Sequence, residues 1–554
     1  MGLNRSLGVC FFALAGIAVA QPVIFTNGIV NGASFVPAGL PNSSIAQGSI
    51  FSIFGSGLAT TTKQVSDEGF PLKTTSDGTT IDVVAGGATV KALLLYISPA
   101  QINAILPSTV PVGQATVTVT TAGVASNAQA INVVRSSFGI ITRNSAGSGP
   151  GIVFNFNSES NQPTNSVIEA AYPGQTVILW GTGLGPVTFD ESRRPSQGNL
   201  DTAVEITVGG QKVTPQYKGR SLFAGLDQIN FQLPANVPTA CYVPVTIKVG
   251  PPEAAVVSNA ATIAIAPAQG QRACTDPLSF GGRRADQIVG GTVRQGTINL
   301  NRTIAELPGQ TFATDVAVAD FTRSDVSALL ASHSQFGISS VGSCVTYSFR
   351  GDSSDFIDPV PVQGIDAGTA LTLTLPGGGT KLLNKVDGQS AGVYLTPFDP
   401  TGASWLVPGN YTIDVPGASN GVGQFRATLT VPGALTWTNI GAIATAPRNA
   451  ALPITWSGGD TGDIVLISGA SSIGGVGAGF NCLTQNAAGS FTVPADVLSV
   501  LPATGTGTDD VGVLIVGGLP PASRPSVTIT PTPQGLDVAN FTYLFSTAKL
   551  VTYQ

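Results

Sequence analysis

Histidine occurs once in 554 residues, at His333, and methionine once, at the initiator position. A Ser-His-Asp triad therefore has one histidine to draw on, in Ala331-Ser332-His333-Ser334. Zinc sites need imidazole or free thiolate, and both are scarce. Charged residues make up 10% of the chain, with 25 basic against 31 acidic side chains and a net charge of −6. No Lys/Arg cluster occurs, which argues against a nucleic-acid partner. A membrane span needs about 20 apolar residues. The run from Leu7 to Ile17 is shorter, and none of that length follows it.

That short run has another reading. Arg5 supplies a positive start and Ala18-Val19-Ala20 a small-residue cleavage site, so residues 1–20 read as a signal peptide with the mature chain beginning at Gln21. The expected location is secreted or at the cell surface, with no transmembrane segment left after cleavage. Cys10 leaves with the signal. Cys241, Cys274, Cys344 and Cys482 remain, an even number in an exported chain and hence two disulfides.

Glycine (68) and proline (38) are abundant beside 43% hydrophobic residues, as in turn-rich all-β chains. The chain also repeats itself. Gly55-Ser56-Gly57-Leu58 returns as Gly181-Thr182-Gly183-Leu184, and Gln101-Ile102-Asn103 as Gln228-Ile229-Asn230. The Gly-to-Gln spacing is 46 residues (101 − 55) and then 47 (228 − 181). Ala125-Ser126-Asn127-Ala128 has its counterpart in Val257-Ser258-Asn259-Ala260. Short alternating runs such as Ala115 to Thr121, broken by Gly, Pro or Ser, read as strands of an immunoglobulin-like sandwich. The expected fold is all-β: tandem immunoglobulin-like sandwiches followed by a β-rich region of two further sandwich-like units. The expected divisions are repeat 1 at 27–135, repeat 2 at 150–267, a linker at 268–296, and β-rich domains at 297–432 and 433–554. A short helix is expected from Ser324 to Ser332.

The duplicated pattern resembles a repeated immunoglobulin-like domain of exported acidobacterial proteins, the Solibacter-type uncharacterised domain. The matching residues are Asn31-Gly32-Ala33-Ser34-Phe35, Ser52 to Leu58, Tyr96 to Asn103, Gly181 to Pro186 and Gln228-Ile229-Asn230. They span roughly residues 27 to 267. The second copy departs at Ala224-Gly225-Leu226-Asp227, where the first has Ser-Pro-Ala. Each copy also looks like the IPT/TIG class. The C-terminal region is similar to tails that accompany such domains, through Val341 to Cys344 and Val476 to Cys482. The resemblance implies fold and export and transfers no catalytic residue.

Other motifs have structural readings beside functional ones. Gly417-Ala418-Ser419-Asn420-Gly421 fits G-x-S-x-G, yet its flanks read as a hairpin, whereas a nucleophile elbow joins strand to helix. The Gly-x-Gly pairs at Gly55 and Gly181 lack the helix a dinucleotide loop requires and read as turns with φ > 0. Asp352, Asp355 and Asp358 offer oxygen ligands for calcium, although their spacing departs from the EF-hand pattern. Asp460/Asp463 and Asp509/Asp510 are weaker pairs. Trp405, Trp437 and Trp456 are candidates for an aromatic sugar platform, while Trp180 aligns with Phe54 and reads as packing. Gln101 and Asn103 should bond neighbouring loop backbone, with Ile102, Ala104 and Leu106 inward.

No cofactor or metal is implied, and no catalytic set emerges. The leading expectation is a non-catalytic surface or extracellular interaction scaffold whose partner is a protein or polysaccharide. A carbohydrate-binding accessory protein and a secreted hydrolase are the alternatives. Cys241 opens the penultimate strand of repeat 2 and Cys274 lies just past its final strand. That predicts Cys241–Cys274, and hence Cys344–Cys482.

Overall fold

The computed structural model describes residues 21–276, 282–287, 291–307, 309–325, 339–350, 362–386, 392–397 and 404–554. The signal segment 1–20, His333 and the Asp352/Asp355/Asp358 loop lie outside them. The described chain is all-β, with only a four-residue α-helix, Ala495–Leu498, and short 3-10 turns.

Each repeat is a two-sheet sandwich. In repeat 1, Ile50–Ser56 pairs antiparallel with Val23–Asn31 and with Gln101–Ile105. The facing sheet is built on Thr79–Ala85, Gly113–Thr121 and Gln129–Val134. Alternation decides which side chains meet: Phe51, Ile53, Ile102 and Ala104 turn inward against Ile81, Val83, Val117 and Val119. Repeat 2 follows the same path, with Thr176–Thr182 between Gly139–Ile140 and Asp227–Gln232. Ala240–Val249 lies centrally in its second sheet, between Val204–Val208 and Ala261–Ile265. The chain interrupts at Ala92 between the strands Ala88–Lys91 and Leu93–Ile97.

Gly55 and Gly181 occupy equivalent positions, opposite Ile24 and Ile140. They are not the residues with φ > 0; Gly57 (64°) and Gly183 (105°) are. A Cβ on Gly55 would sit 2.1 Å from the Val23 carbonyl oxygen, and one on Gly181 2.4 Å from that of Gly139. The first glycine of each pair admits the neighbouring strand and the second makes the turn. The repeated Ser-Asn pieces also have a structural task. Asn127 Oδ1 accepts the Ile24 N–H (2.8 Å) while its Nδ2 donates to the Ile24 carbonyl (3.0 Å), stitching sheet to sheet. Asn259 does the same with Ile140, at 2.8 and 3.0 Å.

The C-terminal region departs from expectation. Two apolar cores are present, one around Ile298, Phe321, Tyr411 and Phe541, the other around Trp456, Ile467, Phe480 and Val516. The expected boundary at 432/433 does not separate them. Val538–Leu550 runs parallel to Thr292–Leu307 along twelve register positions from Gln295↔Val538 to Glu306↔Lys549, within one 13-stranded sheet that serves both cores. The expected linker 268–296 likewise ends inside a strand, because Thr292–Leu307 and Gln310–Asp325 form one long hairpin. Ser324 belongs to that strand rather than capping a helix; residues 326–332 lie outside the described set.

Both disulfides join the expected partners. Cys241–Cys274 spans a sequence separation of 33 with Cα atoms 5.1 Å apart, and Cys344–Cys482 spans 138 with 4.0 Å. The second is not a strap between two domains. Cys344 and Cys482 face each other across adjacent strands of the large sheet.

Candidate functional site

Among the described residues, the catalytic candidates do not converge. Ser419 is exposed at the turn between Gly409–Val415 and Phe425–Val431, so the G-x-S-x-G segment is a hairpin tip and not an elbow. Asp510 takes the N–H groups of Gly474 and Gly507, each within 2.9 Å, and serves its loop. Asp463 accepts the Tyr543 hydroxyl at 3.0 and 2.9 Å and pairs with Arg524 at 2.8 Å. Burial raises its carboxyl above the usual range, with Tyr543 and Arg524 opposing. Its donors leave it no opening to a substrate. Among the described residues, no cluster of three or more His, Cys, Asp or Glu is placed to hold a metal ion.

Trp405, Trp437 and Trp456 do not form a shared sugar platform. Trp437 and Trp456 are paired across adjacent strands and buried, 3% and 5% exposed. Trp405 is half-buried, its ring under the Lys381 ammonium at 5.8 Å. Trp180 instead lies on the outward face of repeat 2, edge-on to Phe154 (5.9 Å) and Phe223 (5.8 Å).

The amides of the repeated motif bond each other rather than loop backbone. Gln101 Nε2 donates to Asn103 Oδ1 at 2.9 Å, and Gln228 Nε2 to Asn230 Oδ1 at 2.9 Å. The intervening Ile102 and Ile229 are fully buried. Period-2 alternation carries the amides outward as it carries the isoleucines in.

The most heavily charged buried constellation lies where the repeats meet. Asp227 is 0% and Arg220 3% exposed, paired at 3.0 Å. Asp227 Oδ2 accepts the Gly183 and Leu184 N–H groups, both at 2.8 Å. Arg220 donates across the joint to the Gly48 carbonyl (3.1 Å) and within repeat 2 to that of Gly185 (3.0 Å). Glu191 accepts the Ser108 N–H at 2.6 Å, Val187 donates to Ser108 Oγ, and Thr182 Oγ1 accepts the Ile50 N–H. At the equivalent turn of repeat 1 the Leu58 N–H donates to the Pro99 carbonyl rather than to a carboxylate. Sequence reasoning missed Arg220, Asp227 and Glu191 as a unit. The available signal was the Ala224-Gly225-Leu226-Asp227 departure, which puts Asp227 where repeat 1 has Ala100.

Burial raises the Glu191 carboxyl above its usual range, against the pull of Ser108 and Arg220. An acid raised in the folded state contributes stability below its unfolded value and loses it as pH climbs through the folded one. Glu191→Gln is therefore expected to raise the melting temperature at pH 7. The difference should vanish below the ordinary glutamate value of about 4.3. Melts at the two pH values check it, and a lower melting temperature for the variant at pH 7 would contradict it.

The repeats also dock on the C-terminal body. Val36, Leu40 and Val257 are buried in its core. Lys248 pairs with Asp496 at 2.7 Å. No described helix is long and apolar enough to cross a membrane.

No family model and no curated protein matches the chain. Among solved structures it is similar to the tetra-tandem repeat in the extending region of a large adhesion protein. That match has 12% identity, 94% coverage of this chain, 98% of the other, and a TM-score of 0.13. It is similar to Sidekick-1 immunoglobulin domains 1–4 at 9% identity, with 96% and 100% coverage and a TM-score of 0.11. A third similar structure is surface layer protein SbsC, domains 4–9, at 11% identity, with 90% and 80% coverage and a TM-score of 0.16. TM-scores this low mean that the chains do not superpose as wholes.

Proposed function

We propose that this protein is an exported, non-catalytic scaffold that presents its sandwich faces to an extracellular partner. The observation that carries the reading is how its bodies are fastened. Domains joined by small polar interfaces move relative to one another by default. Here an apolar patch of Leu72, Leu93, Leu95 and Ile105 on repeat 1 is packed by Ala224 of repeat 2. Arg220, paired with Asp227, donates across the same joint to the Gly48 carbonyl, and residues of both repeats enter the C-terminal core. Such fastening holds outward faces in fixed relation, which suits display more than a moving active-site cleft. Two disulfides fit an oxidising compartment.

The test uses the mature chain from Gln21. It is incubated with isolated bacterial cell envelopes, and separately with chromogenic ester, glycoside and peptide substrates. Saturable retention on envelopes without turnover is the expected result. Turnover that disappears in Ser419→Ala or Asp463→Asn, with the fold intact, would sink the scaffold reading.

A further inference from the structure

We propose that the outward sheet faces of the two repeats form one strip that binds a neutral polysaccharide, with a sugar subsite on each repeat. This rests on the scaffold reading and names the class of partner.

The strip is built twice by the same register. Phe54 stands opposite Gln101, and Asn103 lies between Ser52 and Tyr96. In repeat 2, Trp180 stands opposite Gln228, and Asn230 lies between Ile178 and Tyr217. Each repeat thus sets an aromatic ring beside a Gln-x-Asn pair, with a tyrosine on the strand beyond. These residues alternate with the buried Ile53, Ile102, Leu179 and Ile229, so they occupy the opposite face of the sheet from the core.

The amides have hydrogen-bonding capacity left over. In each pair the glutamine NH2 donates to the asparagine oxygen, which in repeat 1 also accepts the Ser52 hydroxyl (2.9 Å), and the glutamine oxygen and asparagine NH2 have no further partner among the described residues. Reversing both amides leaves one acceptor and one donor group again, so the conclusion does not depend on their assignment. Vicinal hydroxyls of a sugar each donate and accept, and they match such a pair. The adjacent ring offers an apolar face to the sugar's C–H surface. No charged side chain occupies these registers, since the strand beyond Tyr96 contributes Gln64. A charged polymer would find no counter-charge there, which selects a neutral one.

The two faces also lie on the same side. Gly225 sits against Ile50 and Ile105 of the repeat 1 face, and Phe223, two residues away, meets Trp180 on the repeat 2 face. One loop therefore bridges both. It leaves Leu222 and Phe223 62% and 60% exposed at the middle of the strip. A subsite repeated in tandem along one face fits a ligand that repeats itself. Two weak subsites engaged by one polymer reinforce each other by raising the effective concentration.

The test is affinity electrophoresis of the full mature chain through gels containing dextran, xylan or galactomannan, with alginate as the anionic control. Retardation by at least one neutral polymer and not by alginate is expected. Phe223→Ala, on the bridging loop, and Gln101→Ala, in repeat 1, should each weaken it by about tenfold. Thermal melts confirm that the variants fold, and Gln228→Ala replaces either that does not. Three results would overturn the proposal: no retardation by any of the three neutral polymers, equal retardation by alginate, or full retardation of the double variant. Saturable envelope binding that persists without retardation rejects the polysaccharide and leaves the scaffold reading standing.

Discussion

Replacing Asp227 by Ala is expected to destabilise the repeat pair by about 3–5 kcal/mol, the usual cost of breaking a buried ion pair from one side. Two donors, the Gly183 and Leu184 N–H groups, lose their acceptor, and the Arg220 guanidinium loses the carboxylate it is paired with. Arg220 keeps its bonds to Gly48 and Gly185 but loses its directly paired counter-charge, with only the half-buried Glu191 carboxyl left nearby. The effect should be local first. Hydrogen exchange at Gly183 and Leu184 should accelerate before the C-terminal sheet responds. The paired change Arg220→Met with Asp227→Leu removes both charges and should recover much of the loss, because the pair's attraction barely offsets its desolvation. If urea unfolding shows less than about 1 kcal/mol lost in Asp227→Ala, against the 1–3 kcal/mol typical of a single unsatisfied buried group, the joint is not held this way.

The second large effect concerns Cys344–Cys482. Replacing both by Ser opens a 138-residue separation. Chain-entropy estimates put the loss near 5 kcal/mol for a loop of this size. The loop holds about half of the buried residues of each C-terminal core. Its opening should therefore lower the unfolding temperature of the whole C-terminal sheet. The Cys241–Cys274 loop, 33 residues apart, should cost less on the same model and act on repeat 2. Separate thermal transitions for the two double variants check the ranking. A larger loss at Cys241–Cys274 would contradict it.

The sequence by itself determined the all-β class and the two sandwiches, because period-2 alternation and turn residues are local signals. Ile102, Ala104 and Leu106 were assignable to the core from alternation alone, and all three are fully buried. Cysteine pairing was legible for a related reason: strand order places Cys241 near Cys274, and four cysteines leave one pair after that. Tertiary structure decided the rest. Nothing within Val538–Leu550 announces that it returns to lie beside Thr292–Leu307, since a parallel partner more than two hundred residues away leaves no local trace. Hence the boundary expected at 432/433 falls inside a shared sheet. Trp437 and Trp456 looked eligible for an exposed platform because composition cannot distinguish an aromatic core from an aromatic surface. Only the packing around them decides. Arg220, Asp227 and Glu191 are ordinary surface residues by type. The fold makes them partners, burying Arg220 and Asp227 and half-burying Glu191, although the three are scattered along the chain.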